Sequence, residues 1–461
     1  MESSVIVPDE PNPAPSQPRQ WRVGTLAYGS AGLAVLLAWL LWGDFALSLR
    51  DRAVVPIVQL LFKRFGASDT TVGILYSSLP SLLGLTVGPI MGYWSDRYRS
   101  RLGRRIPFLL GTTPFIVLTM VGMAFCSQLG ASLHVLLGSR SPGLGACSLG
   151  MLGTFWFFFE MCCVTLTPIY QGLLNDVVPQ EVMGRVMGLV RAFSLGAGIV
   201  FNYGMMGMAK THYIGILLAV AVLYGVGLTM MCLRVKEGGY PPPPESPAAT
   251  EGGGLAGYCR ENFGLGYYRL YFATVVLICL SPLAFNLFSL FYADSVGMSM
   301  DSYGKCIALT FGISLLLAYP LGALADRFHP LRVTIAGLVL YAAAMAICPL
   351  YVHDATSFGV ALVVHGVLSG VAMTAAASLG QRLLPRSKFS EMVSVTSALF
   401  SLVQFGFAPA LGLLLDRTGH GYVHTFHVSV AMTILAVIAG LFLYRRFVAL
   451  GGPSGYRPPE I

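Results

Sequence analysis

Apolar runs of roughly 20 residues recur twelve times along the chain, and each is long enough to cross a bilayer core of roughly 30 Å as a helix. No other feature narrows the fold as much. In lipid every backbone polar group must find its partner inside the protein, which leaves helices and closed barrels. The apolar residues fill whole blocks instead of alternating through strands of about ten residues, which argues against a barrel. The expected spans of the first half are 27–61, 70–94, 107–127, 147–174, 184–209 and 212–234. Those of the second are 270–294, 303–325, 331–351, 356–382, 389–415 and 424–446. The fold class is an all-α membrane protein of twelve helices in two six-helix bundles. Composition agrees, because only 11% of the 461 residues are charged, against roughly 25% in soluble domains.

Punctuation between the runs divides the chain. Residues 1–21 form a Pro-rich tail with no apolar core, read as disordered and not as a cleavable signal peptide. The first bundle occupies 22–235 and the second 269–447. Between them, 236–268 is a cytoplasmic linker whose stretch GGYPPPPESPAATEGGG (238–254) suits neither helix nor core. Residues 448–461 form a C-terminal tail. With both termini inside the cell, twenty of the 29 Lys and Arg residues fall on cytoplasmic segments and six on external ones. That bias sets an N-in, C-in topology. The net charge of +8 therefore marks sidedness, and no nucleic-acid partner is expected. Nine Cys stand mostly inside apolar segments without metal-like spacing, so they read as small buried hydrophobes. The expected setting is the plasma membrane, and the expected state a monomer embedded in lipid.

Three Lys/Arg residues remain, Arg50, Arg52 and Arg191, and they fall inside spans together with Asp44, Asp51 and Glu160. A charge near the bilayer centre costs roughly 2.5–3.5 kcal/mol on insertion scales, so each is a functional candidate. The six sum to zero, as a mutually paired network requires. At 100° per residue Asp44, Ser48, Asp51 and Val55 form one stripe, Arg52 flanks it, and Arg50 points elsewhere. Glu160, Thr167 and Gln171 share a stripe on the fourth span; Arg191, Ser194, Gly198 and Asn202 share one on the fifth. Two readings of the first span stay open. Either one long helix, broken near Pro56, carries Arg50-Asp51-Arg52, or the helix stops near Leu49 and those residues form an external loop.

The halves echo each other. Gly92-x-x-x-Asp96-Arg97 ends the second span and Gly322-x-x-x-Asp326-Arg327 ends the eighth, while Pro179 and Pro385 break the chain at matching points. Repeat-matched halves of six helices indicate an alternating-access transporter. Asp96 at a helix C-terminus opposes the local dipole and needs an Arg or a neighbouring helix N-terminus. Such a pair can hold two bundles together and then part, which makes Gly92, Asp96, Arg97, Arg104, Gly322, Asp326 and Arg327 candidates for a cytoplasmic gate. The alternative is that the Arg run only fixes topology.

This architecture and its repeated loop resemble the major facilitator superfamily. The first copy, SDRYRSRLGRRIPF (95–108), is similar to the loop of the glycoside–pentoside–hexuronide cation symporters and of the sucrose-transporter-like carriers. ALSLRDRAVVPIVQLL (46–61) resembles the first helix of the sucrose carriers, and 170–203 the helix 4–5 segment of the symporters. The resemblance implies that Arg191 contacts a sugar, for which a guanidinium offers a rigid fork of donors. Its alternative role is a structural partner for Glu160 or Asp51. Glu160 and Asp51 are the proton-coupling candidates: burial opposes an ionised carboxyl and a nearby Arg favours it, so a proton or a solute can tip the balance. Sodium-using members carry acidic residues where this chain has Gly84, Gly88 and Leu166. A family-type sodium site is therefore not expected, and protons or no coupling ion remain. No other cofactor and no metal is expected.

The substrate set read from the sequence is Arg191, Asp44, Asp51, Asn202, Gln171, Asn286 and Gln404. The polar stripes of the second half, with Ser289, Thr374, Ser378, Gln381, Ser397 and Ser401 beside Asn286 and Gln404, suit sugar hydroxyls and equally suit helix–helix hydrogen bonds. His365 reads as a buried, hydrogen-bonded core residue. The expected activity is secondary transport of a small polar solute, a sugar or glycoside, with a proton. Export of an amphipathic compound and a non-transporting receptor or scaffold on the same fold are the alternatives. No nucleotide-binding loop and no nucleophile–base spacing is present, so an enzyme is not expected.

Overall fold

The computed structural model describes residues 20–239, 263–385 and 388–459. The tail up to residue 19 and the linker from 240 to 262 lie outside the described residues. Twelve helices long and apolar enough to cross a membrane account for most of the rest. They are α1 Ser30–Arg64, α2 Asp69–Arg97, α3 Ile106–Ala124, α4 Leu144–Val177, α5 Gln180–Gly204 and α6 Tyr213–Arg234. The second set is α7 Gly266–Ser295, α8 Met300–Phe328, α9 Pro330–Tyr351, α10 Ala355–Leu383, α11 Glu391–Arg417 and α12 His424–Ala449.

Differences from the sequence reading are local. α1 is a single helix of 35 residues that runs through Arg50-Asp51-Arg52 and through Pro56 without a break. The external-loop alternative is thereby overturned, and so is the expected break: Pro56 kinks no hydrogen-bond ladder enough to end it. A helix this long rises about 52 Å, which places residues 44–52 near its midpoint. After α3 the chain continues as a short helix, Cys126–Leu137, where a loop was expected. Trp21, assigned to the tail, pairs instead in a two-residue-turn ribbon, Trp21–Val23 against Leu26–Tyr28.

The packing repeats between halves. α1 and α3 pack on α6, and α3 and α2 pack on α4; in the second half α7 and α9 pack on α12, and α9 and α8 on α10. Between the bundles α5 meets α8 and α2 meets α11, the same pair of partners exchanged by the repeat. Among the described residues the twelve spans leave the start of α1 and the end of α12 on one side, here called the terminal side, with the Arg-rich 98–105 loop. The opposite face is the far side.

The bundles close on the far side. Asp416 at the end of α11 accepts the backbone N–H of Asp69 at 2.8 Å, that of Thr70 at 2.9 Å and the Thr70 hydroxyl at 2.6 Å. It thus satisfies the exposed donors at the start of α2 from the other bundle. Asp69 is fully buried and accepts from His420 Nδ1 at 2.5 Å, Tyr422 at 3.2 Å and Lys63. Burial first, and the Asp69 carboxylate second, push the Tyr422 phenol above its ordinary range, so it stays protonated and donates. Lys210 and Asp294 add a second cross-bundle pair. Deeper, Ser78 donates to the Phe405 carbonyl at 2.6 Å and Gln404 to Ser77 at 2.9 Å.

Two glycines permit this approach. A Cβ on Gly73 would sit 2.6 Å from the Ala408 carbonyl oxygen, and one on Gly412 2.5 Å from that of Asp69. Both obstacles are backbone and cannot swing aside. Gly412→Leu should therefore prise the far side apart. Spin labels placed on the far ends of α2 and α11 should report a longer mean distance than in the parent protein; an unchanged distance would show that this contact does not set the closure.

Candidate functional site

Below the far-side closure, at the midpoint of α1, lies a cavity of about 640 Å³ walled by α1, α4 and α5. Asp44, Arg50, Asp51, Arg52 and Arg191 all line it, with Gln171 and Ser194. The structure thus brings together five of the six intramembrane charges. Glu160 stands on α4 within electrostatic range of Asp51 and Arg50. A second cavity of about 360 Å³ shares Ser48, Asp51, Arg52 and Ser194 with the first and extends toward the far side. Asn202, Asn286, Tyr76 and Phe311 complete it, so both bundles contribute. The residues that line the larger cavity all belong to the first bundle.

The charges take different parts. Arg50 has a side chain only 2% exposed and gives Asp51 Oδ1 two hydrogen bonds, at 2.6 and 3.0 Å. Its guanidinium lies 5.0 Å from the Tyr224 ring and 5.7 Å from Phe159, a cation–π setting in the bundle interior. Asp51 itself is exposed to the cavity. Arg52 reaches across to the second bundle and stacks 4.6 Å from the Phe311 ring of α8. Arg191 also reaches across, donating to Thr374 of α10 at 3.3 Å. Asp44 is buried, and its Oδ2 has no hydrogen-bond partner among the described residues. A buried acceptor left unpaired is costly, and here it faces the cavity.

The second bundle supplies a hydrogen-bonded chain. Tyr341 meets His365 Nδ1 at 3.0 Å, and His365 Nε2 meets Asn286 Oδ1 at 2.9 Å. Since an amide oxygen only accepts, Nε2 carries the proton and Tyr341 donates to Nδ1. The amide oxygen of Asn286 is thereby engaged, and its NH₂ is the group left for the cavity. Asn202 donates to the Gly198 carbonyl at 2.9 Å. Gln404 is engaged by Ser77 in the closure and lines neither cavity, and Ser289 is taken by Tyr303 at 3.0 Å. At the positions matched to a sodium site, Gly84 has open space where a Cβ would stand and Gly88 faces Val164.

The expected gate residues lie at the terminal end. Asp96 pairs with Arg105 at 2.5 Å and with Arg104 at 4.0 Å. Arg104 and Arg105 also grip Asp176 at the end of α4, at 2.5 and 3.3 Å. Glu237, just past α6, accepts the backbone N–H groups of Arg104, Arg105 and Ile106 at 2.9, 2.9 and 2.6 Å, capping α3. Gly103 has φ +106°, and a Cβ there would meet Glu237 at 2.4 Å; only glycine fits both demands. These bonds tie the ends of α2, α3, α4 and α6 to one another within the first bundle. Arg97 instead lies 3.6 Å over the Tyr93 ring, and Gly92 has open space around it. In the second bundle Asp326 pairs with Arg382 at 3.2 Å, Arg327 lies over Phe328, and Gly322 is unobstructed.

The sequence reading did not single out Arg105, Asp176 or Glu237. Nor did it find Asp69, Asp416 and His420, whose ligand atoms are close enough together for a metal ion and are engaged in the far-side closure. Asp176 stood inside the quoted 170–203 segment, and an acidic residue where an Arg-rich loop must be neutralised was the available signal. Nothing in the sequence joins Asp69 to Asp416, which are 347 residues apart.

Residues 28–415 match the family of MFS/sugar transport proteins. Among curated proteins, the multidrug resistance protein MdtL of Escherichia coli O9:H4 (strain HS) is 24% identical over 368 residues, covering 78% of this chain and 83% of that protein. The inward open structure of the xylose transporter XylE from E. coli superposes with a TM-score of 0.61 at 12% identity, covering 90% of this chain and 96% of that one. A bacterial homologue of the human lysosomal transporter Spinster, inward-facing and unoccupied, gives 0.63 at 16% identity, covering 89% and 96%.

Asp176→Asn removes the charge that two partly buried arginines share. Leaving them under-compensated should cost about 1–3 kcal/mol. The thermal unfolding midpoint of the detergent-purified protein should fall by several degrees; no fall would mean that the terminal-end network carries no stability.

Proposed function

The chain belongs to the MFS/sugar transport family, and on that premise we propose that this multi-pass membrane transporter moves a sugar or glycoside, coupled to protons, across the plasma membrane. The observation that carries the reading is the convergence of Asp44, Arg50, Asp51, Arg52 and Arg191 on one cavity at mid-membrane depth. Its volume falls within the roughly 300–1,000 Å³ of small-molecule sites. A cavity so charged disfavours a purely apolar cargo and suits a solute with many hydroxyls. Arg191 supplies donors, Asp44 Oδ2 an unmatched acceptor and Asn286 an amide N–H. Gln171 and Asn202 add polar lining. Asp51 and Glu160 are the proposed proton carriers, because a carboxylate shared between a buried Arg50 and an open cavity responds to both proton and solute. The far side is then external and the terminal side cytoplasmic, so the closure between α2 and α11 is an external one. Gly92, Asp96, Arg97 and Arg104, with Gly322, Asp326 and Arg327, would form the cytoplasmic gate once the terminal ends approach.

The similarity to MdtL favours a second cargo, an amphipathic compound moved outward. Proteoliposomes separate the two. With an imposed pH gradient, labelled mono- or disaccharide should accumulate, and a protonophore should abolish it. Arg191→Ala and Asp44→Asn should each weaken apparent affinity about 10–100-fold, the value of a charged hydrogen bond. If no saccharide moves and an amphipathic dye does, the exporter reading replaces this one. If neither moves, a receptor or scaffold role remains.

A further inference from the structure

Outside the far-side closure lies a separate cavity of about 660 Å³, walled by both bundles. The first bundle contributes Lys63, Arg64 and Lys210, and the second contributes Phe291, Asp294 and Tyr422. Its charge is uneven. Lys63 is drawn inward to the buried Asp69, with its ammonium 5.3 Å from the Phe291 ring. Lys210 is paired with Asp294 across the mouth. Asp416, the remaining nearby acid, is occupied by the start of α2. Arg64 is exposed and rests 5.6 Å from the Tyr213 ring; no carboxylate lies within ion-pair distance of it among the described residues. Its apolar lining is Leu60, Phe291 and Tyr422, the two rings 6.4 Å apart and tilted by 38°. A guanidinium without a carboxylate partner, beside aromatic and aliphatic side chains, is complementary to an anionic head on an apolar body.

We propose that this vestibule is a second ligand site, distinct from the central cavity, that takes a small organic anion such as an aromatic carboxylate or sulfonate and holds the far side closed. Arg64 receives the anionic group, and the apolar body lies on Phe291 and Tyr422. Because the two walls belong to different bundles, the pocket exists only while the far side is shut. A ligand that binds one conformational state shifts the population toward it.

Thermal unfolding in a neutral detergent tests this, with naphthalene-2-sulfonate against its uncharged relative naphthalene-2-sulfonamide. The sulfonate should raise the unfolding midpoint saturably and the sulfonamide should not. Arg64→Gln, at an exposed position, should shift the half-saturating concentration about tenfold, while Gln171→Ala in the central cavity should leave it unchanged. Equal responses to both compounds would overturn the proposal, as would loss of the response in Gln171→Ala with its survival in Arg64→Gln, or no response at all. Spin labels across the far side give the second readout: the sulfonate should narrow the distance distribution around its short value, and an unaltered distribution would remove the closure half of the claim.

Discussion

An arginine buried at the midpoint of a membrane-spanning helix cannot stand without a counter-charge, and the centre of this protein is organised around that requirement. Arg50 takes Asp51, the adjacent residue on the same helix, and lies against the Tyr224 and Phe159 rings. Once Asp51 is committed to Arg50, it cannot also neutralise Arg52, which turns to the face of Phe311. Asp44 has no cation left to meet and keeps an unpartnered oxygen toward the cavity. The distribution of satisfied and unsatisfied groups therefore follows from one pairing. It leaves open hydrogen-bonding capacity on Asp44, Arg191 and the amide of Asn286, while Arg50 is held by Asp51 and two rings and keeps one buried nitrogen, Nη1, without a hydrogen-bond partner among the described residues.

The two ends of the molecule solve helix-end electrostatics in opposite ways. On the terminal side the cap of α3 comes from Glu237 of the same bundle, and Asp96 and Asp176 are neutralised by arginines of the adjoining loop. That end of the first bundle is a unit that can move as one body. On the far side the cap of α2 comes from Asp416 of the other bundle. A helix N-terminus satisfied within its own bundle gives the bundles no reason to stay together. One satisfied from across the interface does, since parting exposes both the N–H groups and the carboxylate. The same chemistry thus makes one end cohesive within a bundle and the other cohesive between bundles.

Much of this was legible in the sequence, and the reasons differ by feature. The spans were readable because length and apolarity are local properties; α2, α8 and α10 match within three residues of either end. The intramembrane charges were conspicuous because of their cost in lipid, and helical phase separated Arg50 from the Asp44–Asp51 stripe. Long-range pairings were not readable. Asp69 and Asp416 look like ordinary helix-end acids, and only the fold sets one against the other. Gln404 shows the converse: its stripe pointed to a cavity, but a polar stripe on a cavity-facing helix also faces the opposite bundle, and Ser77 is there to meet it. The Asp96 loop was found by its repeat, while the identity of its partner, Arg105 rather than a residue of the other bundle, depends on how the loop folds back over Gly103.

The mid-depth contacts join the cavity to the bundle interface. Arg52–Phe311 and Arg191–Thr374 cross from one bundle to the other, and both arginines also line the cavity. A solute that draws the donors of Arg191 competes with Thr374 for them, so occupying the site alters the bonds between bundles without any further relay. Solute and bundle contact then act on the same guanidinium, and the differential affinity that alternating access requires resides in a side chain that touches both. Arg191 lies near mid-depth, between the far-side closure and the terminal side.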